Sequence, residues 1–326
     1  MQIDADKFKL IFFLCITSYH LIASQYEKLN IKPLGKLIDV GGHKLHFYCA
    51  GEGNTTVIVD HSLGGIEGYL LVEELALITK VCIYDRAGYG WSQSSLKPRT
   101  SEQIVQELHI VLKKAEIEPP YILLGNSFGS YNMRLYAHHF PKEVVGMVLT
   151  DGLHESLMLK MPISLQILKL FFTISFGIAS IGAALGIVRF LGMLGTFEFL
   201  KKELRKFSPA SLKAVKQSFY GAKHWLTMFR EMWNLNLSGK QVQKANDFGN
   251  LPVINIKAAN FLKPKFGIIE FSIPPADKLR DKMQSELLML STDCQKKSAQ
   301  KSGHFVWVDQ PEIIAQAVKE LLDKLK

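Results

Sequence analysis

The sequence predicts an α/β fold: a mostly parallel sheet of about eight strands with helices on both faces, interrupted by a helical cap. Three observations lead to it. Short apolar runs rich in β-branched residues, such as "TTVIVDH", alternate with amphipathic stretches, the pattern of strands buried on both faces. The alternation stops after Asp151 and returns at "LPVINIKAA", so the chain between them reads as an insertion. The length of 326 residues and 48% hydrophobic content are enough for a large core and speak against disorder.

Residues 1–30 form an apolar leader. Lys7 and Lys9 precede an uncharged run from Leu10 to Ser24, which is shorter than the ~20 residues a membrane-spanning helix needs. It suits a signal peptide, an uncleaved anchor lengthened by its flanks, or a helix packed on the domain. A membrane-associated or secreted protein is therefore expected in preference to a soluble cytoplasmic one. Next, "KLIDVGGHKLHFYCAGEG" reads as a hairpin around Gly41 and Gly42. It is followed by the strand "TTVIVDH", a helical stretch around "VEELALIT", the strand "KVCIYDR" and the helix from Ser101. Thr100 can cap that helix, and Ile104, Leu108, Val111 and Leu112 share one face. Then come the strand "YILLGN", the helix "FGSYNMRLYAHHF" and the strand "VVGMVLTDG". The domain assignment is thus a core of residues 31–156 and 241–326 with an apolar helical cap of residues 157–240. Within the cap, Leu170 to Val188 is uncharged and lies between Lys169 and Arg189. A single crossing of a bilayer there would separate strands that belong to one sheet, so a lid buried on the domain or lying in the lipid interface is expected, with an ordinary core helix pair as the alternative.

The formal charge of +9 is spread along the chain without a basic run or a nucleic-acid motif, so no nucleic-acid partner is expected, and a mildly basic surface facing anionic lipid is the simpler account. The four cysteines lack metal-site spacing; Cys49 and Cys82, in strand-like runs, are expected to be buried thiols. No metal and no cofactor is called for.

The stretch "YILLGNSFGS" places Ser127 between Gly125 and Gly129, after a buried strand and before a helix. This is the context of a strained strand-to-helix turn that presents a nucleophile, with the helix N-terminus favouring negative charge nearby. A serine hydroxyl needs a general base. Among ten histidines, His304 in "KSGHFVWVDQP" falls in a loop after the last strand, at the same sheet edge as Ser127. His109, His138 and His139 lie on helices, where packing or solvated roles fit better.

Together "GNSFG", "YDRAGYGWS" and "SGHFVWVDQPE" resemble the α/β-hydrolase fold family, over about Lys36 to Leu322. The resemblance implies a Ser, acid, His order, a cap after the sixth strand, and an oxyanion hole of two backbone N–H groups, here those of Leu63 and Phe128. Two departures stand out. The oxyanion loop reads "DHSLGG", with Ser62 where a glycine is usual, and the position after the seventh strand holds Asn260, which carries no charge. Asp151 at the end of the sixth strand is then the favoured acid, with Asp277 and Asp293 as alternatives. Asp85 and Arg86 are expected to form a loop-bracing ion pair; His61 could line the pocket mouth or be structural. The expected function is that of a carboxylesterase- or lipase-like serine hydrolase that forms an acyl-enzyme on Ser127 with lipophilic esters. The alternative is a non-catalytic binding or signalling protein on the same scaffold.

Overall fold

The computed structural model describes residues 5–65, 68–200, 202–206, 208–259, 265–266, 269–270 and 274–325. In chain order the elements begin with α1 (Ala5–Asn30), β1 (Lys36–Asp39), β2 (Lys44–Ala50), β3 (Thr56–Asp60), α2 (Gly68–Leu75), β4 (Lys80–Tyr84) and α3 (Ser101–Lys114). They continue through β5 (Tyr121–Asn126), α4 (Phe128–His139) and β6 (Val144–Thr150). Seven helices follow: α5 (Glu155–Met158), α6 (Ile163–Ala184), α7 (Ile187–Met193), α8 (Thr196–Leu200), α9 (Pro209–Tyr220), α10 (Ala222–Trp233) and α11 (Leu235–Val242). The chain closes with β7 (Val253–Ala258), the short pair β8 (Lys265–Phe266) and β9 (Ile269–Glu270), α12 (Pro274–Leu287), β10 (Cys294–Ala299), α13 (Val306–Asp309) and α14 (Pro311–Lys324).

Eight strands form one sheet in the order β1-β2-β4-β3-β5-β6-β7-β10. Only the β1–β2 and β2–β4 pairings are antiparallel. The central strands β3 and β5 are buried at every position, because helices cover both faces. One face packs Leu108, Val111, Tyr131 and Leu135 of α3 and α4; the other packs Leu71, Leu75, Trp307 and Val318 of α2, α13 and α14. Strand order reverses around β3, and the carboxyl ends of β3, β5 and β6 meet there, which is where open α/β sheets gather reactive groups.

Local expectations translate directly into elements. Thr100 caps α3, its Oγ1 accepting from the N–H of Gln103 at 3.5 Å. Ile104, Leu108, Val111 and Leu112 are fully buried along one face. The helix α2 ends at Leu75, whereas the sequence placed helical character around residues 72–79; Ala76 to Thr79 form a turn instead.

The expectation of two thiols is overturned. Cys49 and Cys82 face each other across the antiparallel β2–β4 pair and are joined by a disulfide, their Cα atoms 4.1 Å apart. The neighbouring register of two strands, not cysteine spacing, brings them together. The bond closes a loop with a sequence separation of 33. Replacing both cysteines by alanine is therefore expected to cost about 2 to 4 kcal/mol of stability, read as a lower urea midpoint; an unchanged midpoint under non-reducing conditions would count against the bridge.

Candidate active site

Ser127 sits between β5 and α4 with φ 52° and ψ −113°, a conformation that L-residues rarely adopt. The turn is possible because its flanks are glycines. A Cβ on Gly129 would strike the carbonyl oxygen of Asp60, and one on Gly125 would lie 2.7 Å from the carbonyl oxygen of Gly129. Backbone bonds hold the strained residue: its N–H donates to Thr150 at 3.0 Å, and its carbonyl accepts from the N–H of Ser130 at 3.0 Å. The same carbonyl accepts from the Ser130 hydroxyl at 2.6 Å, and that hydroxyl in turn accepts from the N–H of Leu153 at 3.0 Å. The elbow is thereby stitched to the loop after β6. Phe128 is the first residue of α4, so its N–H has no partner within the helix and lies at the positive dipole end.

Thr150 is followed by Asp151, which is buried and also holds a positive φ of 45°. Its Oδ2 lies 2.6 Å from His304 Nδ1. With the carboxylate ionised, the contact puts the ring proton of the neutral imidazole on Nδ1 and leaves Nε2 as the lone-pair nitrogen. Oδ1 accepts from Arg280 Nε at 2.8 Å and from the N–H of Ala258 at 3.4 Å. Arg280, on α12, also donates to the carbonyl of Ala258. This arginine was missed in the sequence: nothing local marks it, and the one available signal is that a buried carboxylate needs more donors than a single imidazole supplies. The other carboxylates are placed differently. Asp293 precedes β10, at the opposite end of that strand from His304, where both its oxygens accept from exposed Lys324 at 2.8 and 2.7 Å. Asn260 and the side chain of Asp277 lie outside the described residues.

Behind these groups runs a buried chain of hydrogen bonds. Trp307 Nε1 donates to Thr150 Oγ1 at 2.8 Å, and Thr150 Oγ1 donates to Asn126 Oδ1 at 3.0 Å. The last two immediately precede Asp151 and Ser127, and Trp307 lies three residues beyond His304. The three chain segments are thus pinned to one another from the core side.

Leu63, half-buried, lies in the turn closed by the Gly65 N–H on the Ser62 carbonyl at 3.1 Å. That carbonyl also accepts from His61 Nδ1 at 2.9 Å and from Arg86 Nη2 at 3.0 Å, while Arg86 Nη1 holds the His61 carbonyl at 2.8 Å. Arg86 therefore fastens the loop, but it does not pair with Asp85 as the sequence suggested. Its ion partners are Asp60, at 2.6 Å, and Glu231 of α10, at 2.9 Å through Nε. Burial opposes the guanidinium charge, yet Glu231 and Asp60 together raise its pKa well above the usual value. Asp85 serves a separate cluster, with His46 Nδ1 at 3.1 Å, the Tyr69 hydroxyl at 2.9 Å and the Trp91 N–H at 3.0 Å. His61 is fully buried, and burial first, then Arg86, lowers its pKa. It is a neutral structural residue, not one at a pocket mouth. His109 packs on Phe140 with ring centroids 3.8 Å apart, and His139 pairs with Glu102 at 3.0 Å on the partly exposed surface. Among the described residues no group of three or more His, Cys, Asp or Glu side chains could hold a metal ion.

This sheet and this elbow define a class, and sequence comparison agrees with it: residues 55–260 match the α/β hydrolase fold family model, more than half of the chain, and the protein belongs to that family. Among curated relatives, the uncharacterized protein YbdG of Bacillus subtilis is 28% identical over 137 residues, 41% of this chain and 42% of its own length. The chain thus spans about two fifths of that relative. A protein of Gibberella zeae described as an AB hydrolase superfamily protein is 23% identical over 261 residues, 74% of this chain and 78% of its own. The solved structure of the Cif epoxide hydrolase from Acinetobacter nosocomialis shares the fold, with a TM-score of 0.69 at 16% identity over 94% of this chain and 96% of that one.

Proposed function

We propose that the protein is a serine hydrolase that cleaves carboxylic esters of lipophilic, acyl-chain substrates through an acyl-enzyme on Ser127. The observation that carries the reading is the 2.6 Å contact of His304 with Asp151, at the sheet edge where the strained Ser127 is presented. In this mechanism Nε2 of His304 takes the Ser127 proton as Oγ attacks the ester carbonyl. The oxyanion is held by the N–H groups of Leu63 and Phe128, and the imidazolium is stabilised by Asp151. His304 returns the proton to the departing alkoxide; a water then repeats the sequence and releases the acid. An epoxide hydrolase would need a carboxylate at the position of Ser127. The apolar helices α6 and α7 between β6 and β7, which supply the cap, favour a lipophilic acyl group. We further place the protein at a membrane, held through α1 and the cap. The Cys49–Cys82 bridge suits an oxidising compartment.

The test is labelling by a fluorophosphonate, paired with turnover of p-nitrophenyl esters of increasing chain length. Labelling that vanishes in Ser127→Ala, with turnover rising toward longer chains, supports the reading. A folded protein that takes no label at any pH would instead be a binding protein on this scaffold.

A further inference from the structure

The leader is a single helix. Its 26 residues extend roughly 39 Å at 1.5 Å per residue, so the flanks of the uncharged run add the length that the run alone lacks. The helix is barely covered by the rest of the protein, and so is α6, although both are long and apolar enough to cross a bilayer. Phe8, Leu14 and Ile22 of α1 and Ile167, Phe171 and Ile178 of α6 are all exposed. A surface this apolar, on two helices of one domain, is not that of a protein bathed in water on all sides.

What joins α1 to the cap is polar. Arg189 of α7 is almost completely buried, and the hydrogen bonds of its guanidinium run to α1. Nε donates to His20 Nδ1 at 3.1 Å, Nη1 to Glu27 Oε1 at 2.7 Å, and Nη2 to Ser24 Oγ at 3.1 Å and Glu27 Oε2 at 2.7 Å. The group also lies 4.5 Å from the ring centre of Tyr220, on the cap's α9. Two further contacts extend the seam toward the N-terminus. Thr17 Oγ1 donates to the carbonyl of Leu185 at 2.9 Å, and the Phe12 and Phe190 rings meet edge to face at 5.5 Å. Without α1, Arg189 would lose both its cover and the carboxylate that neutralises it, leaving an unpaired cation on the surface of the cap.

We infer that α1 is retained in the mature protein, fastened to the cap by Arg189 and Glu27, and that α1 and α6 together form one surface that lies in a single lipid leaflet. The inference rests on the membrane placement proposed above and deepens it. The occupant of this face is lipid because its two longest helices are apolar enough to cross a bilayer, yet neither is free to do so. The cap begins and ends in one sheet, at β6 and β7, and α1 is bound between Phe12 and Glu27 to α7 and to Leu185 just before it. A crossing by α1 would pull Arg189 into the hydrocarbon with it. An in-plane position satisfies both restraints, with the Arg189 guanidinium buried between the helices and the Glu27 side chain, 24% exposed, at the edge of the seam.

The experiment uses the full chain and vesicles of phosphatidylcholine with phosphatidylglycerol. Leu14→Asp and Ile178→Asp replace exposed residues, so the fold is expected to persist, as checked by fluorophosphonate labelling of Ser127. Each substitution should lower the floated fraction, and the double variant should lower the partition constant at least tenfold. Wild-type flotation by the double variant, or a lipid-free wild type that is a stable dimer and does not float, would overturn the membrane surface. The fastening is tested separately with Phe12→Cys and Phe190→Cys in a Cys15→Ser background. The pair should be joined by a short bis-maleimide while vesicle-bound, and the mature chain should carry α1 by mass. Flotation without cross-linking would overturn the fastening and leave the surface standing; a mature mass lacking residues 1–30 would overturn both the fastening and the two-helix surface.

Discussion

Ser127→Ala and His304→Ala are each expected to lower ester turnover by about 10⁴-fold or more, while far-ultraviolet circular dichroism and the urea midpoint stay near those of the wild type. The two losses should not add, because a serine without its base and a base without its serine disable the same step. Asp151→Asn belongs with them. The amide cannot hold the proton of His304 on Nδ1 as a carboxylate does, so turnover should fall by a similar factor. It also removes the partner of Arg280, so its cost extends to stability. Asp293→Asn touches only the exposed contact with Lys324 and should leave turnover within a factor of two or three. Single-turnover kinetics on a p-nitrophenyl ester distinguish these variants. Turnover retained by a folded Ser127→Ala protein would defeat the acyl-enzyme mechanism outright.

The second large effect is expected at Glu231, far from Ser127 in sequence. Its carboxylate, fully buried, bridges Arg86 Nε and Nη2 at 2.9 and 3.0 Å and accepts from the Tyr89 hydroxyl at 2.8 Å. Glu231→Ala leaves a buried guanidinium with Asp60 alone, and it is expected to cost about 3 to 5 kcal/mol of stability. Glu231→Gln keeps the shape and should cost less. The remaining arms of Arg86 hold the His61 and Ser62 carbonyls, so Glu231→Gln should lower kcat more than it raises KM. That split separates loop positioning from a merely weakened fold. An unchanged urea midpoint for Glu231→Ala would show that the pair holds nothing.

The strands, the elbow and the antiparallel hairpin were legible because each is written within about ten residues: alternation, a glycine pair, a capping threonine. His304 and Asp151 could be read as partners because both fall at carboxyl strand ends, which topology gathers at one edge. Other features depend on register between distant segments. Cys49 meets Cys82 only because β2 and β4 pair residue for residue. Arg86 turns from its neighbour Asp85 toward Glu231, 145 residues away, because a planar fork with five donors fits two carboxylates and two carbonyls better than one adjacent side chain. Arg280 reaches Asp151 over a separation of 129 residues. No periodicity records such meetings, since they are set by how the sheet is wound and how the helices between β6 and β7 settle on it.

The positive φ angles of Ser127 and Asp151 also bear on how this protein would respond to selection for heat resistance alone. Each such conformation withholds on the order of 1 to 3 kcal/mol from the folded state. At Ser127, glycine would recover that energy at the expense of the proposed nucleophile. At Asp151 it would not, because Arg280 and His304 would lose the carboxylate they share. The two positions are therefore unequal under such selection. Thermal hardening without a demand for activity would erode the serine first and keep the aspartate, leaving a sturdier scaffold whose ion pairs outlast its chemistry.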